Sequence, residues 1–335
     1  MRQASIFTAI SGLLILTTIV NSRTAADKDI IVAVRAHAGQ QHALKKWGPT
    51  IDYLNQVLPD YRFNIRPYTS LKQQLADARQ NKFHFLLTNP STYVELEASR
   101  HASAILTLIN NRRGTAQTRF GSVIFTHVDN TDIIELADLR GKSFMGVNPI
   151  GFGGWRVGLK VLMDHGIDPH RDFTHLNFAG KQPKAVNAVL TKTVHAGMVR
   201  TDMLERMADK GEIDLRKVRV LNSQPTKDFP FFRSTPLYPE WPFAVITGTD
   251  NKLGDQVKQA LLRLDRSHPA AKAGKYMGWT EALDYQPVKD LLAEIGVEPF
   301  TRNKTEQLGL YIILVLIALY IAFYFFKRYS SKQRA

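Results

Sequence analysis

Short runs of β-branched and aromatic residues alternate along this chain with segments whose apolar positions recur at helical spacing. Ile30–Val34, Arg62–Pro67, Phe83–Leu87 and Ile105–Ile109 read as strands, with Gln41–Leu58, Ser70–Asn81 and Val94–Ser99 as helices between them. Asn110–Gln117 reads as a polar loop and Phe120–His127 as a long strand leaving this first unit. After a turn at Asp138–Lys142 a second series follows: strands Phe144–Val147, His175–Phe178 and Val194–Val199, and helices ending at His165 or covering Pro183–Leu190 and Met203–Lys210. The proline- and aromatic-rich stretch Phe229–Pro242 precedes a strand, Phe243–Thr247, that returns to the first unit, and Leu253–Asp265 and Pro287–Glu294 finish it as helices. Strands alternating with helices predict an α/β fold. The expected division is two lobes, 27–119 with 243–305, and 120–242 including the hinge strands.

The two ends depart from this pattern. Arg2, the apolar segment Ile6–Val20 and the small residues after it read as a secretory signal over 1–26, with cleavage after Ser22 or Ala26. Leu308–Phe326 carries no charge over nineteen residues, the length of a transmembrane helix, and the basic tail 327–335 places the C-terminus in the cytoplasm. The expectation is a single-pass inner-membrane protein with its binding domain outside. The formal charge of +14 falls to +8 for 27–326 once the six basic residues of the two ends are set aside. The exported part is still basic, which suits an anionic surface or a small anion. No basic run with interleaved aromatics points to nucleic acid. The absence of cysteine excludes disulfides, thiolate chemistry and an N-terminal lipid anchor.

Candidate chemistry concentrates where strands end and helices begin. Asn148–Leu159 (NPIGFGGWRVGL) is a glycine-rich strand-to-helix loop; free amides at a helix start attract anions, and glycines let a ligand approach the backbone. The same loop without a ligand is a tight turn. Thr88–Tyr93 stands at a second junction, as a helix cap or as a cap that also contacts ligand. Arg200 stands at a third, and either grips an oxyanion with its planar fork or pairs with Asp202 or Glu205. No nucleophile triad, His-Glu-x-x-His or metal-ligand spacing stands out, so neither an enzyme nor a cofactor is expected.

These landmarks together resemble the sensor portion of tetrathionate-sensor-type histidine kinases, itself similar to phosphonate/phosphite-type periplasmic binding proteins. The motifs are Thr88–Tyr93, Phe120–Phe125, Phe152–Trp155, Val199–Met207, Ser234–Ala244 and Gly278–Thr280. The resemblance implies a type II periplasmic-binding-protein fold, two hinged lobes closing on a small ligand. Its cleft would be lined by Asn89, Pro90, Ser91, Thr92 and Tyr93 from one lobe and Gly151, Phe152, Gly153, Gly154, Trp155, Arg200, Thr201 and Asp202 from the other. Arg35 and His37, after the first strand, complete the candidate ligand-binding set. The implied function is a membrane-tethered sensor of a sulfur or phosphorus oxyanion that signals to a separate histidine kinase; the alternative is the binding component of an anion permease. Nothing in the nine residues after Phe326 supplies a kinase. Where the family carries Gly-x-Asp before the Val-Arg-Thr-Asp motif, Lys192-Thr193-Val194-His195 stands here, exchanging a carboxylate expected beside the cleft for an imidazole.

Overall fold

The computed structural model describes residues 28–225 and 227–301, together with Ile312, Ile313, Val315, Leu316, Ile317 and Tyr320. The first lobe begins with strand β1 (Lys28–Arg35), helix α1 (Gln40–Val57), β2 (Tyr61–Tyr68), α2 (Leu71–Arg79), β3 (Phe85–Leu87), α3 (Pro90–Ala98), β4 (Ala102–Arg112) and β5 (Thr115–Gln117). The chain then crosses through β6 (Arg119–Phe120) into β7 (Ser122–His127), β8 (Ser143–Gly146), α4 (Val157–Asp164), α5 (Pro169–Asp172), β9 (His175–Phe178), α6 (Gln182–Leu190), β10 (Ala196–Arg200), α7 (Met203–Asp209) and β11 (Val218–Leu221). It returns through β12 (Tyr238–Pro239) to β13 (Pro242–Ile246), α8 (Asn251–Leu262), α9 (Pro269–Gly274), β14 (Tyr276–Glu281) and α10 (Gln286–Glu294).

One sheet has seven strands in the order β14-β4-β13-β3-β1-β2, with β5 on β4. In it β1 runs parallel to β2 and β3, while β13 is antiparallel to β3 and β4. The period-2 geometry of a strand divides this lobe's core between the two sheet faces. Val32, Val34, Phe85 and Leu87 meet Trp47, Ile51 and Leu54 of α1 and Val257 and Leu261 of α8. The alternate positions Ala33 and Leu86 meet Val94 and Leu96 of α3 and Val288, Leu291 and Leu292 of α10. The second sheet, β11-β7-β10-β8-β9, is covered in the same way: Ile124, Phe144 and Met198 face one cluster and Val123, Phe125 and Val199 the other.

Where the chain crosses between lobes, the outgoing and returning segments pair as a short antiparallel ladder, Tyr238 opposite Phe120 and Pro239 opposite Arg119. Phe120–His127 is therefore not one strand. It breaks at Gly121, where an added Cβ would lie 2.6 Å from Thr235 Oγ1 and 2.7 Å from the Pro236 carbonyl oxygen. Asn110–Gln117 is a β-hairpin rather than a loop, because β4 runs on to Arg112 and turns back at Gly114 with φ +82°.

The expected C-terminal transmembrane helix is corrected: no helix among the described residues is long and apolar enough to cross a membrane. Most of 308–326, the signal over 1–26 and the tail 327–335 lie outside the described residues.

Candidate functional site

Asn89 caps α3. Its Oδ1 accepts from the Thr92 amide at 3.2 Å and from the Ser91 hydroxyl at 2.9 Å, and its Nδ2 donates to Thr92 Oγ1 at 2.9 Å. Pro90 opens the helix, where a missing N–H costs nothing. These polar side chains thus hold one another, all buried. Tyr93 points into the first-lobe core: its hydroxyl donates to Glu97 and accepts the Ala104 amide, and its ring meets Tyr285 edge-on at 5.0 Å. Arg35 donates to the carbonyls of Tyr68 and Thr69.

In the second lobe, Phe152–Arg156 forms a π-turn, with Arg156 N donating to Gly151 O at 3.0 Å and Val157 N to Phe152 O. Its glycines make room for side chains. A Cβ on Gly153 would sit 2.7 Å from the Phe120 ring, and one on Gly154 2.8 Å from Val147 Cβ. Phe152 packs edge-on against Phe120 and Tyr238, which carries the hinge ladder, while Trp155 packs against Phe144 and Phe178 in the second-lobe core. The loop therefore joins lobe to hinge by packing, with Trp155 turned toward its own core.

Arg200 ends β10 at the junction of the lobes. Its guanidinium lies 3.9 Å from the Phe120 ring centroid and donates through both terminal nitrogens to Glu240, on the returning segment. Asn110 Nδ2 donates to the same carboxylate at 2.7 Å. Asp202, with φ 71°, is 3.5 Å from Arg200, 3.3 Å from Arg112 and 2.7 Å from Arg206. Of the pairings open from sequence, Asp202 is made, while Glu205 instead accepts the Phe232 amide. Thr201 exchanges hydrogen bonds with Gly121, its amide donating to the Gly121 carbonyl and its hydroxyl accepting the Gly121 amide, which fixes the end of β10 to the hinge.

Burial opposes the charge on Glu240, but the guanidiniums of Arg200 and Arg112 outweigh it and hold the carboxyl below its ordinary value. Burial, then Arg200, lowers Arg112 to about 10. Lys46 of α1 is half-buried, and burial first, then Arg112, pushes its ammonium down to about 7. His37 is exposed to solvent on one side and meets Trp241 edge-on at 5.6 Å, so the surroundings only partly enclose it. The walls around it, then Lys46, Arg35, His42 and Arg200, push its ring down to about 3. The structure thus brings together Arg200, Asp202 and His37 from the expected set, and adds Glu240, Asn110, Arg112, Arg206 and Lys46. Glu240 lies inside the Ser234–Ala244 motif, while nothing in the pattern marks Lys46, a basic residue within an amphipathic helix.

The lobes also meet outside this cluster. Arg156 pairs with Glu95 of α3 at 3.1 Å, Lys160 with Glu294 of α10 at 2.7 Å, and Arg113 with Asp209 of α7 at 2.6 Å. His195 lies at the opposite end of β10 from Arg200, bonded to Ser143. Five residues of strand put about 16 Å between the two ends, so the His195 position is not beside the cleft.

Two α/β lobes joined by a double crossing, with a charged cluster at the joint, have the architecture of a two-lobed solute-binding domain. Residues 32–286 match the periplasmic substrate-binding protein family of phosphonate ABC transporters, and the chain belongs to that family. It is 33% identical over 274 residues, 81% of its length, to the tetrathionate sensor histidine kinase TtrS of Salmonella typhimurium, and spans 44% of that kinase's length. Among solved structures, PhnD1 of Prochlorococcus marinus in complex with methylphosphonate superposes with TM-score 0.63 at 14% identity, covering 80% of this chain and 98% of that one. A Xanthomonas citri protein bound to ATP gives 0.65 at 17% identity, covering 80% and 97%. These structural likenesses bear on the fold alone.

Proposed function

We propose that the chain binds a small sulfur or phosphorus oxyanion in the crevice between its lobes and, by closing on it, signals to a separate partner such as a histidine kinase. The observation that carries the binding reading is the charge imbalance at the joint, where Lys46, Arg112, Arg200 and Arg206 gather around Asp202 and Glu240. Cations so placed repel one another unless an anion joins them. Asn89, Pro90, Ser91, Thr92 and the Gly151–Trp155 loop border the crevice in this reading, with Arg35 and His37 at its first-lobe wall. The kinase relative supports the signalling half. The family's transporter members support a second reading, delivery of the anion to a permease.

Thermal unfolding against a panel of sulfate, thiosulfate, tetrathionate, phosphite and methylphosphonate tests the binding. An anion at a hundred times its dissociation constant stabilises the folded state by about 2.7 kcal/mol. The shift is expected to shrink in Arg112→Gln. A panel without any shift overturns the oxyanion reading.

A further inference from the structure

One carboxylate at the lobe junction answers three guanidiniums. Asp202 Oδ1 lies 3.5 Å from Arg200 Nε, and its Oδ2 lies 3.3 Å from Arg112 Nη1 and 2.7 Å from Arg206 Nε, with the residue 2% exposed. These are ion-pair distances without hydrogen-bond alignment: both Asp202 oxygens and the Nε atoms of Arg112, Arg200 and Arg206 are buried with no hydrogen-bond partner among the described residues. Glu240 nearby differs, accepting from both terminal nitrogens of Arg200 and from Asn110. Asp202 also stands at the start of α7, where an aspartate ordinarily bonds the first free amides, yet with φ 71° it leaves the helix uncapped and its carboxylate among the arginines. A buried polar atom without a partner costs about 1–3 kcal/mol, so five in one place mark an arrangement that a better-fitting anion can replace. The Arg206 side chain, 36% exposed, is the edge at which solvent reaches the cluster.

We propose that Asp202 is an internal competitor for the oxyanion: its carboxylate holds the place between Arg112, Arg200 and Arg206 that the ligand's oxygens take, which makes the site selective for tetrahedral oxyanions over carboxylates. The inference rests on the oxyanion reading and adds to it the residue that sets the ligand class. A carboxylate has two oxygens in one plane and pairs best with one planar fork at a time. Three guanidiniums, from β4, β10 and α7, exceed what it can satisfy. A sulfate, sulfonate or phosphonate group turns three oxygens in three directions and gives each arginine one. A free carboxylate offers only what Asp202 already supplies and loses its freedom of motion on binding, whereas Asp202 is tethered in place. As the oxyanion enters, Asp202 exchanges its guanidinium contacts for the uncapped amides of α7. Arg112 belongs to the first lobe and Arg206 to the second, so the exchange takes place across the joint.

The test is isothermal titration of the full chain and of two variants, Asp202→Asn and Asp202→Gly, with sulfate, thiosulfate, methylphosphonate, acetate and formate at neutral pH and constant ionic strength. Asparagine and glycine both accept a positive φ, so neither variant strains the turn. The unaltered chain is expected to bind at least one of the three oxyanions and neither carboxylate. Removal of the competing charge is expected to raise the affinity for that oxyanion about tenfold in either variant. The emptied place in Asp202→Gly is expected to take up acetate and formate, and the variant to regain melting temperature in their presence. Where the glycine variant does not fold, Asp202→Asn carries the test by itself. Asp209→Asn, which removes an equal charge from the same helix at a side chain bonded to Arg113, is expected to keep the rejection of carboxylates. Oxyanion affinity that falls in Asp202→Asn, or a folded Asp202→Gly chain that binds no carboxylate, overturns the proposal and leaves the oxyanion reading standing. Binding of no oxyanion by the unaltered chain or either variant overturns that reading, and the proposal with it.

Discussion

Arg200, at the end of the second lobe's central strand, and Glu240, where the chain re-enters the first lobe, face one another through two hydrogen bonds in a fully enclosed setting. The pair couples the strand that carries the site to the hinge segment. Asn110 on the same carboxylate and the Tyr285 hydroxyl on the Glu240 carbonyl, at 2.8 Å, hold it from the first lobe.

Replacing Glu240 by Gln leaves the Arg200 guanidinium with Asp202 as its remaining counter-charge, and loss of one partner of a buried pair costs up to about 3–5 kcal/mol. Because the folded carboxyl sits below its ordinary value, its contribution is full above the unfolded value of about 4.3 and disappears as pH falls through the folded one. Urea unfolding at neutral pH is expected to show the full deficit of Glu240→Gln, and the gap to the unaltered chain to narrow in acid. A gap that stays constant with pH counts against the charge pairing.

Gly153→Ala places a methyl group against the Phe120 ring, on which Arg200 rests. Overpacking of this kind costs about 1–3 kcal/mol. Displacement of Phe120 is expected to weaken anion binding as well, read by titration of the purified variant. A stable variant with unaltered affinity separates the loop from the site.

Glu95 and Arg156 bridge the lobes at a largely enclosed position. Glu95→Gln leaves Arg156 with a neutral partner at a cost of about 1–3 kcal/mol. Small-angle scattering without ligand is expected to give a larger radius of gyration for the variant. An unchanged radius means the aromatic packing of Phe152 on Phe120 and Tyr238 holds the lobes by itself.

His195→Asp places at the far end of β10 the carboxylate that the family resemblance led one to expect there. An aspartate accepts the same bonds from Ser143, so stability is expected to stay within about 0.5 kcal/mol and anion affinity to stay unchanged. A changed affinity in titration contradicts the separation of His195 from the crevice.

The alternation of strands and helices was readable because the inner strands bury both faces and each helix one, so Ile30–Val34 and Phe83–Leu87 announce themselves by composition alone. β14 and the β4–β5 hairpin were not, since Tyr276–Glu281 mixes buried and exposed positions and the hairpin is polar at its tip. Arg200 was legible because strand-to-helix junctions are few. Glu240 and Lys46 reach the same place from 40 residues downstream and 154 upstream, and separations of that size carry no local signal. The packing role of the π-turn glycines was not legible, because space left by a missing Cβ serves a neighbouring side chain as well as a ligand; Phe120 faces it at Gly153 and Val147 at Gly154.

The ladder of Phe120 and Arg119 with Tyr238 and Pro239 has a mechanical meaning. A pair of short strands bends and twists readily, but slippage by one residue turns every side chain to the opposite face, and Tyr238 would lose its place against Phe152. The ladder thus leaves the angle between the lobes as the coordinate along which they could move while it locks their register. In the proposed reading, closure of the lobes would reach the outer surface as a change in that one angle.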